Sequence, residues 1–489
     1  MRASGILMHI TALPGPYGVG TMGKEAYKFI DFLQKAGQRY WQVLPLTPTG
    51  FKDSPYQSCS TFAGNPYLID LDMLVEEGLL KAEEITACNW GDDPNCVNFG
   101  LLYANRMGLL RKAFARYQDA DEAFAKFRAK NDSWLPPYVD YMGLKEQNGG
   151  KPWYQWEDSL KYCYREKSGF TFHIPYEEIQ FHCFVQYLFD RQWNALREYA
   201  HSKGISIIGD VPIYVPYDSV EAWSNPQLFC LDDTLTPTVV AGCPPDYFNE
   251  DGQLWGNPLY RWDLLKKDGY RWWIQRLQGA AKRYDVIRID HFRGFAGYYS
   301  IPYGAENARK GEWLPGPGLD FMQTVQRNLP DTPMITEDLG FLTPDVHQLR
   351  DACGYPGMKV LEFAFDGDSN NEYLPHTYVS NTVCYTGTHD NMPLKQWFAE
   401  SPAKTVDFAC AYMGKPSNPV WGMIRLCLGS VSDLAVVQMQ DYLELGGEGR
   451  MNFPGTCTDG NWTWRAASDF MDDALAERIN CLTRTYGRF

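Results

Sequence analysis

Eight short runs rich in apolar and β-branched residues punctuate the chain, each followed by turn chemistry or by apolar positions at helical spacing. In order they are Gly5 to Ile10, Tyr40 to Leu46, Ile205 to Val211, Val286 to His291, Pro333 to Leu339, Met358 to Phe365, Thr382 to Thr388 and Asp433 to Met439. Strands that alternate with helices predict a parallel sheet, and eight of them predict an α/β fold of the (β/α)8 TIM-type barrel class. Three crossovers are legible residue by residue. After the first run, Ala26, Phe29, Ile30, Leu33 and Ala36 repeat at helical spacing and Gly37 stands at the C-terminal cap position. Before the fourth, Trp273, Leu277, Ala280, Ala281 and Tyr284 mark a second helix. After the fifth, Thr343 as N-cap and Pro344 in the first turn open a helix that Gly354 closes.

Residues 47–204, between the second and third runs, and 212–285, between the third and fourth, are too long for single crossovers. The first reads as a partly helical insertion, with helical patterning over Leu101 to Lys130. The second, rich in Pro, Gly, Asn and aromatic residues, reads as an aromatic-rich insertion of irregular loop. Both follow barrel strands, so both are expected at the C-terminal face, where barrel active sites lie. The expected organisation is one catalytic barrel domain over residues 1–489 whose two insertion subdomains build a cleft.

Composition narrows the partners. Forty-five Lys and Arg against sixty Asp and Glu give a net charge of -15, which repels phosphate backbones and anionic lipid headgroups, so neither nucleic acid nor a membrane surface is expected. The N-terminal apolar run Ile6-Leu7-Met8 breaks at His9, far short of a secretory signal core. No segment approaches the ~20 apolar residues of a membrane span. Thirteen cysteines lie scattered without a C-x-x-C pair, the usage of reduced thiols in cytoplasm. With 16 Trp and 31 Tyr the chain holds more amphipathic rings than most cores use, and such rings serve sugar clefts as stacking platforms.

The fourth run ends in Arg288-Ile289-Asp290-His291-Phe292-Arg293-Gly294, where alternation puts Arg288 and Asp290 on the same side of a strand. An ionised Asp beside a guanidinium keeps a low pKa, which suits a nucleophile. The fifth run ends in Thr336-Glu337-Asp338-Leu339-Gly340, the seventh in Thr388-His389-Asp390-Asn391, and the third in Gly209-Asp210-Val211-Pro212. Random surface acids would scatter over both faces, whereas these gather at one barrel rim. Two such carboxylates cleave a glycosidic bond when one attacks the anomeric carbon and the other protonates the leaving oxygen, then deprotonates the acceptor. Asp290 is the candidate nucleophile, and Glu337, longer by a methylene and raised in pKa by partial burial, the candidate general acid/base. Asp390, with His389 beside it, is the candidate partner for sugar hydroxyls. Metal-assisted hydrolysis would need several imidazoles or a carboxylate cage. The first run offers His9-Ile10-Thr11 rather than a His-x-His pair, and His291 reads as a satisfied structural histidine, so no metal and no cofactor is implied.

Taken together, these motifs closely resemble the 4-α-glucanotransferases known as amylomaltases or disproportionating enzymes, glycoside hydrolase family 77 of the α-amylase clan. The resemblance runs over nearly the whole chain. Its carriers are Asp53-Ser54-Pro55-Tyr56-Gln57, Ala63-Gly64-Asn65-Pro66-Tyr67, Gly209-Asp210-Val211-Pro212, Pro244-Pro245-Asp246-Tyr247-Phe248 and Gly252-Gln253-Leu254-Trp255-Gly256-Asn257-Pro258-Leu259-Tyr260, followed by the three carboxylate motifs. It implies Asp290 as nucleophile, Glu337 as acid/base and Asp390 as transition-state stabiliser. It further implies that Arg288 orients the nucleophile, that Asp210 and His389 bind hydroxyls, and that Tyr56 supports the donor sugar. Tyr247 and Phe248 match the family's aromatic loop over the acceptor side, Trp255 lies in the same cleft-lining segment, and Asn461 and Trp462 resemble the family's C-terminal segment near the donor site. The activity implied is transfer of α-1,4-glucan segments to the 4-hydroxyl of an acceptor glucan or glucose, with maltooligosaccharides, amylose and starch- or glycogen-derived α-glucans as partners. A cytoplasmic enzyme of bacterial type is expected. The alternatives are a retaining α-glucan hydrolase, which gives the intermediate to water, and a glucan-binding protein without catalysis.

Overall fold

The computed structural model describes residues 2–118, 122–164, 172–245, 250–340, 342–456 and 458–489. Its strands are β1 (Ala3–Leu7), β2 (Tyr40–Gln42), β3 (Ser206–Val211), β4 (Val239–Cys243), β5 (Gln253–Pro258), β6 (Val286–Ile289), β7 (Gly297–Pro302), β8 (Glu312–Pro315), β9 (Met334–Thr336), β10 (Gly357–Val360), β11 (Thr382–Tyr385) and β12 (Leu434–Gln438). Eight of them close a parallel barrel in the order β1-β2-β3-β6-β9-β10-β11-β12, and β12 pairs back onto β1. These are the eight runs read from the sequence. Every position of β6, β9, β10 and β11 is buried, because a strand inside a helix-jacketed parallel barrel meets protein on both faces. That is why the runs are continuously apolar rather than alternating.

The ladders end earlier than the sequence runs did. Pairing on β6 stops at Ile289 and on β9 at Thr336, so Asp290 and Glu337 stand just beyond the last paired residues. There the chain turns over the rim, with His291 in the left-handed region at φ 52°. The crossover helices follow their caps: Lys24–Lys35 precedes Gly37 at φ 70°, and Pro344–Cys353 ends on Gly354 at φ 69°. Thr343 occupies the N-cap of the latter without making the side-chain cap bond.

Between β2 and β3, helices Phe99–Arg116, Glu122–Lys130 and Leu135–Gln147 pack against the 27-residue helix Tyr176–Ser202, which returns the chain to β3. The segment between β3 and β6 is more regular than its composition predicts. It supplies β4 and β5, which join β7 and β8 in a four-stranded antiparallel sheet of order β5-β4-β7-β8. Half of that sheet thus lies before β6 in sequence and half after it. The sequence reading of irregular loop misses it because the strands contain Gly, Asn and Pro, and because two of the four strands are supplied from the far side of β6.

The barrel seam is fastened from below by Arg488, which is fully buried and donates to the carbonyls of Leu428 (2.6 Å), Ala3 (2.9 Å), Ser430 (2.9 Å) and Ser432 (2.9 Å). Those carbonyls belong to the start of β1 and to the chain entering β12, whose backbones also meet directly through Ala3 N–H and Asp433 O at 2.8 Å. Replacing Arg488 by Met would leave several buried carbonyls unpaired, at about 1–3 kcal/mol each. Arg488→Met is expected to lower the urea-unfolding stability by about 3 kcal/mol or more while leaving kcat at 25 °C unchanged, because it lies at the opposite end of the barrel from the carboxylates. An unchanged midpoint would show that the seam does not depend on it.

Candidate active site

β3 and β6 are neighbours in register, with Asp210 opposite Arg288. Residues paired across parallel strands point to the same side, and Asp290, two residues past Arg288, points there too. The outcome is a guanidinium between two carboxylates: Arg288 Nη1 donates to Asp210 Oδ1 (2.8 Å) and Oδ2 (2.6 Å) and to Asp290 Oδ1 (3.0 Å). Tyr56, carried by the segment after β2, donates its hydroxyl to Asp210 Oδ2 at 2.8 Å. Its ring stacks on His389 with centroids 5.0 Å apart, and Trp462 closes against both rings.

Glu337 is locked to β6 through the backbone on both sides. Its N–H donates to Ile289 O (2.9 Å) and its carbonyl accepts from Phe292 N–H (3.0 Å). The side chain is fixed as tightly: Oε2 accepts from His291 N–H at 2.7 Å and Oε1 from Leu339 N–H at 3.1 Å. The left-handed turn at His291 is what aims that N–H at the carboxylate. Trp255 on β5 meets the His291 ring edge-on at 4.8 Å, which brings the antiparallel sheet to the edge of the site. His291 itself departs from the satisfied histidine read from sequence, since its Nε2 is sealed from solvent without a hydrogen-bond partner.

Beyond β11, His389 Nε2 lies 3.4 Å from Asp390 Oδ1, and Asp390 accepts from Asn452 Nδ2 at 2.7 Å. Asn461 spends its side chain on its own loop, accepting from Phe453 N–H and donating to Thr456 O. It braces the segment that carries Phe453 and Trp462. Tyr247 and Phe248 lie outside the described residues; the strands before and after them pair, with Cys243 opposite Gln253.

Burial dominates the electrostatics. It pushes Glu337 up to about 7, against the opposing effects of Arg288 and the two backbone N–H bonds. For Asp290 the expected low pKa is reversed. Water reaches 27% of its side chain, yet the enclosing rim desolvates the carboxylate, and Asp210, Glu337 and Asp390 add negative charge around it. Arg288 pulls the other way but is shared with Asp210, and the net direction is well above the usual carboxylate range. Burial also holds His389 and His9 below the usual imidazole value, His9 at about 3, so both are neutral at neutral pH. Burial and the neighbouring Asp210 raise Tyr56, which keeps its proton and remains a donor.

Against known proteins, the family model described as 4-alpha-glucanotransferase, glycoside hydrolase family 77, matches residues 8–470. The chain belongs to this family. A 4-alpha-glucanotransferase of Clostridium butyricum is 45% identical over 488 residues, covering 98% of this chain and all of that one. One of Thermus thermophilus is 46% identical over 501 residues, covering 100% and 99%. Among solved structures, amylomaltase from Streptococcus agalactiae in complex with acarbose superposes with a TM-score of 0.95 at 40% identity over the full length of both chains. Amylomaltase from Corynebacterium glutamicum, at 18% identity and a TM-score of 0.81, shares the fold. The chain is therefore a 4-alpha-glucanotransferase, a transferase acting on α-1,4-glucans.

The sequence reading passed over one residue at the transferase's rim that the geometry brings in: Asn452, which donates to Asp390. It lies in Arg450-Met451-Asn452-Phe453-Pro454-Gly455, and its place in a turn-rich segment after the eighth barrel strand was the available signal.

The Glu337 shift gives a pH signature. A group raised to about 7 keeps its proton below that pH and loses it above, so a step that needs the acid slows as pH rises through about 7. For the transferase, kcat/KM with maltotriose should fall on that limb. With α-maltosyl fluoride, whose leaving group needs no proton, kcat/KM for fluoride release should not. The same alkaline fall with both donors would mean that Glu337 does not protonate the leaving group.

Proposed function

We propose that the transferase works by double displacement, with Asp290 as nucleophile, Glu337 as acid/base and Asp390 as the group that holds the reacting sugar. The observation that carries this reading is the pairing of β6 with β9, which sets two partly buried carboxyls side by side at the C-terminal rim and gives one of them a guanidinium and the other two backbone N–H donors. An α-1,4-glucan donor binds with its scissile bond between them. Asp290 Oδ attacks the anomeric carbon while Glu337 delivers its proton to the departing O4, so the C1–O4 bond breaks and a β-linked glucosyl ester forms on Asp290. The leaving glucan departs with that proton as its new 4-hydroxyl. Glu337, now a carboxylate, takes the proton from the acceptor's 4-hydroxyl as that oxygen attacks C1 and releases Asp290.

The neighbouring groups have distinct parts. Arg288 stabilises charge on Asp290 when the nucleophile is free, and Asp210, whose fully enclosed side chain is out of reach of a sugar hydroxyl, instead anchors Arg288 and Tyr56. His389 and Asp390 take hydroxyls nearest the reacting carbon, where hydrogen bonds strengthen as positive charge grows at C1. The Tyr56–His389 stack and Trp462 give the donor sugar an apolar wall, Trp255 flanks the rim beside His291, and Tyr247 and Phe248 are assigned to the acceptor side. The substrates are maltooligosaccharides and longer α-glucans derived from starch or glycogen, used as both donor and acceptor. We assign the enzyme to the cytoplasm; no disulfide joins the described cysteines, in keeping with reduced thiols.

With maltotriose, the parent enzyme should give a ladder of longer oligomers plus glucose, where a hydrolase would give glucose and maltose alone. Asp290→Asn should lower turnover by at least about 10⁴-fold while glucan binding persists, because the lost group makes the covalent bond rather than holding remote sugars. Glu337→Gln given α-maltosyl fluoride should accumulate a glycosyl adduct on Asp290 visible by mass spectrometry. Residual Asp290→Asn activity within tenfold of the parent, or an adduct on another residue, would remove Asp290 from the nucleophile's role.

A further inference from the structure

Glu337 and Asp338 leave β9 in opposite directions, because successive side chains alternate across a strand. Glu337 turns to the rim, where it meets His291 N–H, whereas Asp338 turns towards the helix jacket and is buried there. Its Oδ2 accepts from Nη1 of Arg350, on the helix Pro344–Cys353, at 2.7 Å, and its Oδ1 accepts from Met358 N–H on β10 at 2.7 Å. The second bond comes where the sheet itself gives least support. β9 is registered to β6 by three residue pairs but to β10 by one, Thr336 with Gly357. Gly357 is what lets the carboxyl in: a Cβ there would fall 2.3 Å from Asp338 Oδ2 and 2.8 Å from Oδ1. Glu337 depends on the same short turn. The N–H that its Oε1 accepts, that of Leu339, belongs to the peptide leaving Asp338, so the direction of that donor follows the Asp338 backbone.

We propose that Asp338 is a positioning residue for the acid/base, pinning the turn 337–339 to β10 and to the helix Pro344–Cys353 so that Leu339 N–H holds the Glu337 carboxyl at the glycosidic oxygen. The inference rests on the acid/base role given above to Glu337. Asp338 touches no substrate in this account. Without its carboxylate, Met358 N–H and Arg350 lose a buried acceptor, and the turn loses its tie to β10 beyond Thr336. Met358 itself stays registered with Val383 of β11, so Arg288, whose Nε meets the Met358 thioether at 3.4 Å, keeps that neighbour. The nucleophile's side of the site is thereby spared, and the damage falls on proton transfer. Asp338→Asn retains an oxygen for Met358 N–H but offers Arg350 no charge.

The test compares kcat/KM for maltotriose with kcat/KM for fluoride release from α-maltosyl fluoride in Asp338→Ala, Asp338→Asn and Glu337→Gln, with unfolding midpoints alongside. The fluoride needs no proton from Glu337, so the ratio of the two constants reads proton transfer and not the general soundness of the barrel. Asp338→Ala should lose on the order of 10²-fold with maltotriose and less than about fivefold with the fluoride, the scale on which a displacement of about 1 Å acts. Asp338→Asn should fall between the Ala variant and the parent with maltotriose. A parental maltotriose constant in Asp338→Ala, equal losses with both donors, or Asp338→Asn as damaged as Asp338→Ala would each overturn the proposal. Glu337→Gln tests the reading beneath it: equal losses with both donors there would remove Glu337 from the acid's role, and this inference with it. Should Asp338→Ala fail to fold, Gly357→Ala displaces the same carboxyl from the β10 side and is expected to show the same donor-dependent loss.

Discussion

The rim depends on how one guanidinium nitrogen divides itself. Nη1 of Arg288 lies within hydrogen-bond distance of three carboxylate oxygens, two on Asp210 and one on Asp290, and carries two hydrogens. Asp210 has the shorter contacts and a fully enclosed side chain. Asp290 receives the remainder. Burial is what pushes that carboxyl upward, and the arginine, shared with Asp210, offsets only part of it. Burial also makes Asp290 responsive to the charge on Glu337, so a proton lost from one carboxyl is felt at the other.

Strand pairing fixes the distances on which that balance rests. Glu337 is held by Ile289 O and Phe292 N–H on either side of Asp290, so the two carboxyls belong to one stretch of backbone ladder rather than to two independent loops. Sites built on such elements move less than sites on loops, and misplacement of about 1 Å is costly in rate. Tyr56, Asn452 and Trp462 come from segments beyond the strands and reach this frame through side-chain contacts, with Asp210, with Asp390 and with the His389 ring.

The sequence made the barrel readable because strands buried on both faces are written as unbroken apolar runs, and because Gly37, Pro344 and Gly354 mark where helices start and stop. It made the carboxylate cluster readable because Asp210, Asp290, Glu337 and Asp390 all sit where such a run ends. The antiparallel sheet was not readable, since Gln253–Pro258 and Gly297–Pro302 lack a clean alternation and the central pairing, Val239–Cys243 with Gly297–Pro302, spans a barrel strand. The direction of the Asp290 shift was hidden for a related reason. It is set first by burial under the rim and then by Asp210, Arg288, Glu337 and Asp390 together, and local sequence shows only the one favourable neighbour.

Closure itself sets a schedule. The bond from Arg488 to Ala3 O spans 485 residues, and the strand that flanks β1 on that side, β12, is also among the last to be made. A ribosome adding about 5–20 residues per second needs roughly half a minute to a minute and a half to cover that interval. Throughout it, one hydrogen-bonding edge of β1 has no partner from its own chain. An unpaired edge is a template for pairing with other chains, so the nascent protein carries its greatest aggregation hazard at its beginning and discharges it only near its end. The yield of folded enzyme is thereby tied to how well the emerging N-terminal strand is shielded during synthesis.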